Sequence, residues 1–254
     1  MDLVAGALLI AQGEYPDLDR AACRARLDEM GREALGVCTG SMTERLAELS
    51  RLFSFRWGFR GNRKDYYDPR NSFLNDVLDR RTGLPITLSL VYMEVGRRAG
   101  LDLVGVGMPG HFLVGCRDRR GLYVDAFSDG AILTAVDCIA RLREVRPDVL
   151  FDPQYLDPVG PRLILTRVLN NLLQIYMGKW RSQKALDVLE MILCLQPDEA
   201  EWLRQRALIH YQLKNYTQAI ADLQTYLERV PDAVDRDEVA RQLAALEHLR
   251  GVVN

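Results

Sequence analysis

The five cysteines, Cys23, Cys38, Cys116, Cys138 and Cys194, are scattered, and no C-x-x-C pair occurs. That spacing excludes a zinc ribbon or a thioredoxin-type redox motif. It fits buried thiols in a reducing compartment. Histidine is scarcer: His111, His210 and His248 stand alone and no H-E-x-x-H occurs. No metal site is expected from such a set, and nothing calls for a cofactor. Neither charge sign is in excess, with 33 Lys+Arg against 35 Asp+Glu and a net charge of -2. A dedicated nucleic-acid binder is usually basic, so nucleic acid is disfavoured as a partner. Long apolar runs are missing too. The start, residues 1–11, is apolar but too short to span a bilayer. It lacks a basic n-region and runs into an acidic segment, so it reads as a buried helix of a cytoplasmic protein.

What remains is an ordinary globular composition, 48% hydrophobic and 27% charged over 254 residues. That length allows one large domain or two of average size, with a core that needs no staples. Residues 1–56 read as helical. Ser41-Met42-Thr43-Glu44 has capping-box spacing: the serine hydroxyl meets the third helical amide and the glutamate reaches back. Residues 57–68 form a glycine-bearing loop in which basic and aromatic side chains interleave. Asp68-Pro69 predicts a cap followed by proline at the first helical position, opening a helix that stops at Gly83. Pro85 starts the next helix, which runs to Gly100. It is apolar on more than one face and is expected to be central and buried.

Strands are expected at 101–108, 111–116 and 122–127, then a helix over 132–142. Four prolines within 146–161 mark a linker. A hairpin centred on Asp118 makes His111 and Asp125 direct cross-strand neighbours, with Cβ atoms roughly 4.5–5.5 Å apart. A one-residue slip in register would undo this.

The last third repeats. Pro197 and Pro231 lie 34 residues apart (231 − 197), as do Ala185 and Ala219, Leu189 and Leu223, and Tyr176 and His210. This resembles the tetratricopeptide repeat, without its consensus tryptophan and glycine. The resemblance implies antiparallel helix pairs joined near Trp180 and Asn215, with a capping helix over 235–250. Two repeats and a cap would lean on the preceding domain. Such arrays present a concave face to peptides or proteins, with Tyr176 and His210 as candidate contacts; a helical buttress with no ligand is the alternative.

Further motifs carry a wider resemblance. Leu8-Leu9-Ile10-Ala11 with Tyr15-Pro16-Asp17-Leu18-Asp19, then Tyr67-Asp68-Pro69-Arg70-Asn71-Ser72-Phe73-Leu74, Arg81-Thr82-Gly83-Leu84-Pro85-Ile86 and Pro109-Gly110-His111-Phe112 resemble the bacterial SirB-type family. That family is described as a transglutaminase-like core followed by tetratricopeptide repeats. The fold class implied is α+β: a helical N-terminal region, a papain-like core with a small antiparallel sheet at 1–158, and helical hairpins at 159–254. In transglutaminase-like enzymes a cysteine at the start of the buried helix is the nucleophile, a histidine the base, and an aspartate its orienter. Carried over, His111 and Asp125 match the last two. The cysteine position falls at or beside Pro85, which has no nucleophile.

Beside a regulator that contacts nucleic acid through the 57–70 loop with Arg80 and Arg81, which the net charge disfavours, two readings follow. In one, the chain is a non-catalytic regulatory module that binds a protein or peptide. In the other, Thr87 or Ser89 serves as nucleophile with His111 and Asp125 in amide or ester hydrolysis or transfer. Helical hydroxyls more often bond to a backbone carbonyl, and Cys116 falls on the opposite strand face from His111. Tyr67, Asn71 and Arg81, with Arg63, Tyr66, Arg70 and Arg80, either rim a cleft or solvate it.

Overall fold

The computed structural model describes residues 1–253. The chain divides into two compact units, the first ending at Val168. The first opens with α1 (Leu3–Gln12), α2 (Arg20–Val37) and α3 (Met42–Arg51). The box at Ser41 is formed: Ser41 Oγ accepts from Glu44 N–H at 3.4 Å, and Glu44 Oε2 accepts from Ser41 N–H at 2.8 Å. A five-residue π-helical turn, Leu52–Arg56, extends α3 and buries Phe53.

A two-residue parallel ladder follows, β1 (Arg60–Gly61) with β2 (Thr82–Gly83). The expected single helix from Asp68 to Gly83 is broken. Asp68 caps a short 3-10 turn, Pro69–Asn71, and α4 (Leu74–Arg80) then ends at Arg81 in the left-handed region, φ 55°. Thr82 and Gly83 are thereby freed to pair with the loop strand. The central helix, α5 (Pro85–Arg98), buries every residue from Pro85 to Gly96 and packs on α2 and the sheet. A fully buried leucine or valine contributes about 1.5–3 kcal/mol, so α5 is the axis of this unit. Its buried polar groups are matched: Tyr92 Oη lies 3.0 Å from Ser50 Oγ, and Glu94 pairs with Arg98 at 2.6 Å.

The sheet is antiparallel, in the order β6–β5–β4–β3–β7. Its strands are β3 (Leu103–Val106), β4 (Leu113–Cys116), β5 (Tyr123–Asp125), β6 (Ala131–Leu133) and β7 (Pro158–Val159). Three expectations need correction. Val114 pairs with Val124 and Gly115 with Tyr123, so the hairpin centres on Arg119 and not Asp118. Residues 131–133 are a strand on β5, and the helix after them, α6 (Ala135–Val145), starts later, capped by a Thr134/Asp137 box. The proline-rich segment is also more than a linker, because β7 pairs with β3. Residues 159–168 therefore go with the first unit, and the division falls inside α7 (Pro161–Gly178).

The second unit continues α7 into α8 (Ser182–Leu195), α9 (Glu201–Gln212), α10 (Tyr216–Arg229) and α11 (Arg236–Val253). The period is kept in the backbone: α8 and α10 start 34 residues apart (216 − 182) and end 34 apart (229 − 195). Trp180 and Lys214, at the equivalent turns, both adopt positive φ, 55° and 62°. Ala207, Ala219, Ile220, Leu223, Val239 and Leu246 form a core between α9, α10 and α11.

Candidate functional site

The site is built on the loop before β4. His111 follows Gly110, whose φ of 71° turns the chain there, a conformation that glycine adopts without cost. His111 N–H donates to Met108 O at 3.1 Å and closes the turn. The imidazole then points at the end of β5. Its Nε2 lies 3.0 Å from Asp125 Oδ2, and both side chains are buried. The contact is close, yet neither atom has a well-aligned hydrogen bond. The two-residue offset in the hairpin leaves the alternation of faces unchanged, so the pair meets diagonally across the sheet.

Asp125 is held elsewhere as well. Its Oδ1 accepts the backbone N–H groups of Phe127 and Ser128 at 3.1 Å each. Arg141 Nε, from α6, stands 3.6 Å from Oδ2. Burial by itself would raise this carboxyl. His111, the Ser128 contact and Arg141 outweigh it, and the group sits below the ordinary carboxylate range.

Phe127 is the hub of the surroundings. His111 and Tyr66 each meet its ring edge-on at 6.2 Å, and the Arg63 guanidinium lies 4.9 Å over it. A Cβ on Gly61 would come within 2.6 Å of that ring, so the close approach of β1 requires glycine.

The start of α5 is closed. Pro85 and Ile86 are buried. Thr87 Oγ1 accepts from Leu84 N–H at 3.0 Å and donates to Asn71 O at 2.7 Å, so its proton is committed. Asn71 O also accepts from Leu84 N–H at 3.4 Å. A backbone carbonyl thus stands before the positive end of the helix. Ser89 is fully buried and its Oγ donates to Phe112 O at 3.4 Å, which ties α5 to the His111 loop. Neither hydroxyl is hydrogen-bonded to the imidazole.

The other expected residues fall as follows. Asn71 is fully buried: its Nδ2 donates to Asp65 O and Tyr66 O at 2.7 and 3.1 Å, and Oδ1 accepts from Asn62 at 3.0 Å. It pins the loop and faces no solvent. Tyr67 is 66% exposed and packs edge-on to Tyr66 at 5.4 Å. Arg81 lies 4.8 Å over Phe59 with its Nη1 against Met30 Sδ; burial, then Arg26, lowers its pKa. Tyr176 and His210 belong to the helical repeats. Tyr176 is buried beneath the Lys184 ammonium, 5.7 Å from the ring. His210 is buried with Nδ1 3.5 Å from Asn215 Nδ2, and burial lowers its pKa against the pull of Asp222. The sequence gives no sign of Phe127, of Arg141, or of Arg167, whose Nη2 donates to Met108 O at 3.0 Å and His111 O at 3.1 Å, as site residues. Among the described residues no cluster of His, Cys, Asp or Glu is arranged for a metal ion, and no helix is long and apolar enough to cross a membrane.

A family model for the transglutaminase-like superfamily matches residues 20–170, and one for the tetratricopeptide repeat matches 172–244. A UPF0162 protein of Xylella fastidiosa is 36% identical across 98% of this chain and 92% of its own length. The chain belongs to the UPF0162 family, of SirB type. Protein SirB1 of Salmonella typhimurium is 24% identical over 84% of this chain and 80% of its own. F-box only protein 21 of Mus musculus is 33% identical over 61% of this chain but 26% of its own length. In this UPF0162 member the α+β transglutaminase-like core comes first and the helical repeats follow.

Proposed function

We propose that the protein is a non-catalytic, transglutaminase-like regulator that acts in the cytoplasm by binding a protein or peptide. The observation that carries this reading is the closed start of α5. Proline stands where the nucleophile is expected, and the Asn71 carbonyl faces the first turn with the Thr87 proton committed to it. A covalent mechanism needs an activated nucleophile within reach of its base, and the Thr87 and Ser89 hydroxyls are bonded to backbone carbonyls instead. The repeats supply the other half of the argument. A cavity of 430 Å³ is lined by α9 and α11, with Leu208, Tyr211 and Leu249 exposed along it. Free thiols at all five cysteines suit a reducing compartment.

The test pairs two measurements on the full chain. Affinity capture from bacterial extract is expected to return a stoichiometric protein, lost in Leu208→Asp/Tyr211→Asp. Serine- and threonine-directed activity probes are expected to leave Thr87 and Ser89 unlabelled. Labelling of either hydroxyl that disappears in His111→Ala would overturn the proposal in favour of hydrolysis or acyl transfer.

A further inference from the structure

The sheet face that α6 packs on is only partly covered. Val104, Gly115 and Tyr123 stand in one row across β3, β4 and β5, with Val106 two residues along. Cys138 and Leu142 of α6 pack on this face with Val106 and Leu113. A cavity of 410 Å³ stays open on it, within the size range of small-molecule sites. Its floor dips at Gly115, where a Cβ would press on the Val106 and Val104 methyls at 3.0 and 3.2 Å. Ala135 and Ile139 of α6 form one wall, and Phe151 and Leu156 another.

The charged groups are segregated. Arg117 and Arg120, from the turn between β4 and β5, line one end. Arg117 meets Asp102 Oδ2 through Nε at 3.1 Å, which leaves its Nη1–Nη2 edge without a hydrogen bond. The Arg120 side chain is exposed and makes no hydrogen bond, ion pair or ring contact among the described residues. Both of its two-donor edges are therefore open. Asp118 and Arg119 of the same turn do not line the cavity. This end thus has two guanidiniums against one committed carboxylate, a surplus of one positive charge. Asp157 lies at the other end. Pro158, next to it, pairs with Val106, whereas Arg117 follows Cys116, the partner of Leu103. Three residues of β3 (106 − 103) separate the two ends, at least about 10 Å of strand.

We propose that this cavity binds a small amphipathic monocarboxylate. The carboxylate takes the open edges of Arg120 and Arg117, since a planar two-oxygen acceptor fits a guanidinium fork. The apolar body lies over Val104 and Gly115, towards Ile139, Phe151 and Leu156, and leaves water. One surplus positive charge matches a monoanion better than a phosphate dianion. Asp157 repels a second carboxylate at the tail. His111 and Asp125 do not line the cavity, and every residue that does lies in the first unit, so the site goes beyond the function proposed above and stands whether or not the repeats bind a protein.

Calorimetric titration of the full-length protein with octanoate, octanamide, suberate and octyl phosphate tests the assignment. Octanoate is expected to bind, and octanamide and suberate to bind at least about tenfold more weakly. Arg120→Ala, at an exposed side chain, is expected to weaken octanoate about tenfold and to leave octanamide unchanged. Ala135→Trp, which fills the cavity from its α6 wall, is expected to abolish binding of both. Thermal melts check that it folds, and Arg120→Ala keeps the test valid if it does not. Equal binding of octanoate and octanamide, unchanged octanoate affinity in Arg120→Ala or in folded Ala135→Trp, suberate or octyl phosphate bound as tightly as octanoate, or no binding of octanoate by about 10 mM would each overturn the assignment.

Discussion

His111 Nε2 and Asp125 Oδ2 stand 3.0 Å apart inside the protein, and neither makes a well-aligned hydrogen bond. Their attraction is therefore chiefly that of charge and dipole, in a setting where Arg141 also bears on the carboxylate. Removing the acid strips two backbone amides and an arginine of their acceptor. Asp125→Ala is expected to cost about 2–4 kcal/mol in urea unfolding at neutral pH. Asp125→Asn, which keeps Oδ1, should cost less.

The same carboxyl sets a pH dependence. Its pKa in the folded chain is held below the ordinary value of about 3.9. The stability it contributes is thus present above that value and lost as pH falls through the folded-state pKa. Wild type and Asp125→Asn are expected to differ in unfolding free energy at pH 7 and to converge in acid. Chemical denaturation across that range measures the gap.

Asn71→Ala should loosen the loop from Asn62 to Tyr67, because three hydrogen bonds at a fully buried amide vanish together. We expect a loss of about 2–3 kcal/mol and new proteolytic cleavage after Arg63 or Lys64. Tyr67→Ala, at an exposed ring, should stay within about 0.5 kcal/mol of wild type. Limited trypsinolysis and thermal melts separate the two.

Thiol labelling should divide the cysteines sharply. Cys194 is exposed and the other four are buried. Burial, then Asp137 and Asp125, pushes the Cys138 thiol up to about 12. Maleimide at neutral pH is expected to modify Cys194 first, and Cys138 only on unfolding. Peptide mass spectrometry along a denaturant series reads the order.

Trp180 and Lys214 occupy equivalent turns with φ of 55° and 62°. Trp180 is 83% exposed, so little packing is lost on its removal. Glycine at either position relieves left-handed strain at some cost in unfolded-chain entropy. Trp180→Gly and Lys214→Gly are each expected to be neutral to stabilising by up to about 1 kcal/mol, measured as Tm shifts.

Much of the architecture was legible because it rests on local chemistry. The Ser41 box, the burial of α5 and the repeat period are written in spacing that needs no tertiary context. The closeness of His111 and Asp125 was readable through strand alternation, although the register was not: the turn slipped by one residue in its centre, and β4 and β5 are short. Strand β6 reads from sequence as the start of a helix because Ile132 and Leu133 lead straight into the Thr134 cap. Arg167 was invisible as a site residue. It lies 56 residues from His111, on a helix whose apolar pattern gave no sign of a guanidinium bonded to carbonyls of the His111 loop.

The Asn71 carbonyl before α5 limits what a single substitution could introduce there. A thiol introduced as Pro85→Cys would enter a buried first turn whose positive end already faces that oxygen and whose Thr87 proton is given to it. The electrostatic help that a helix start offers a thiolate would be shared with a backbone group that cannot be mutated away. Opening that first turn would require moving the loop from Asp65 to Asn71 as a body, so the burial of Pro85 and the seating of Asn71 are one structural feature, not two.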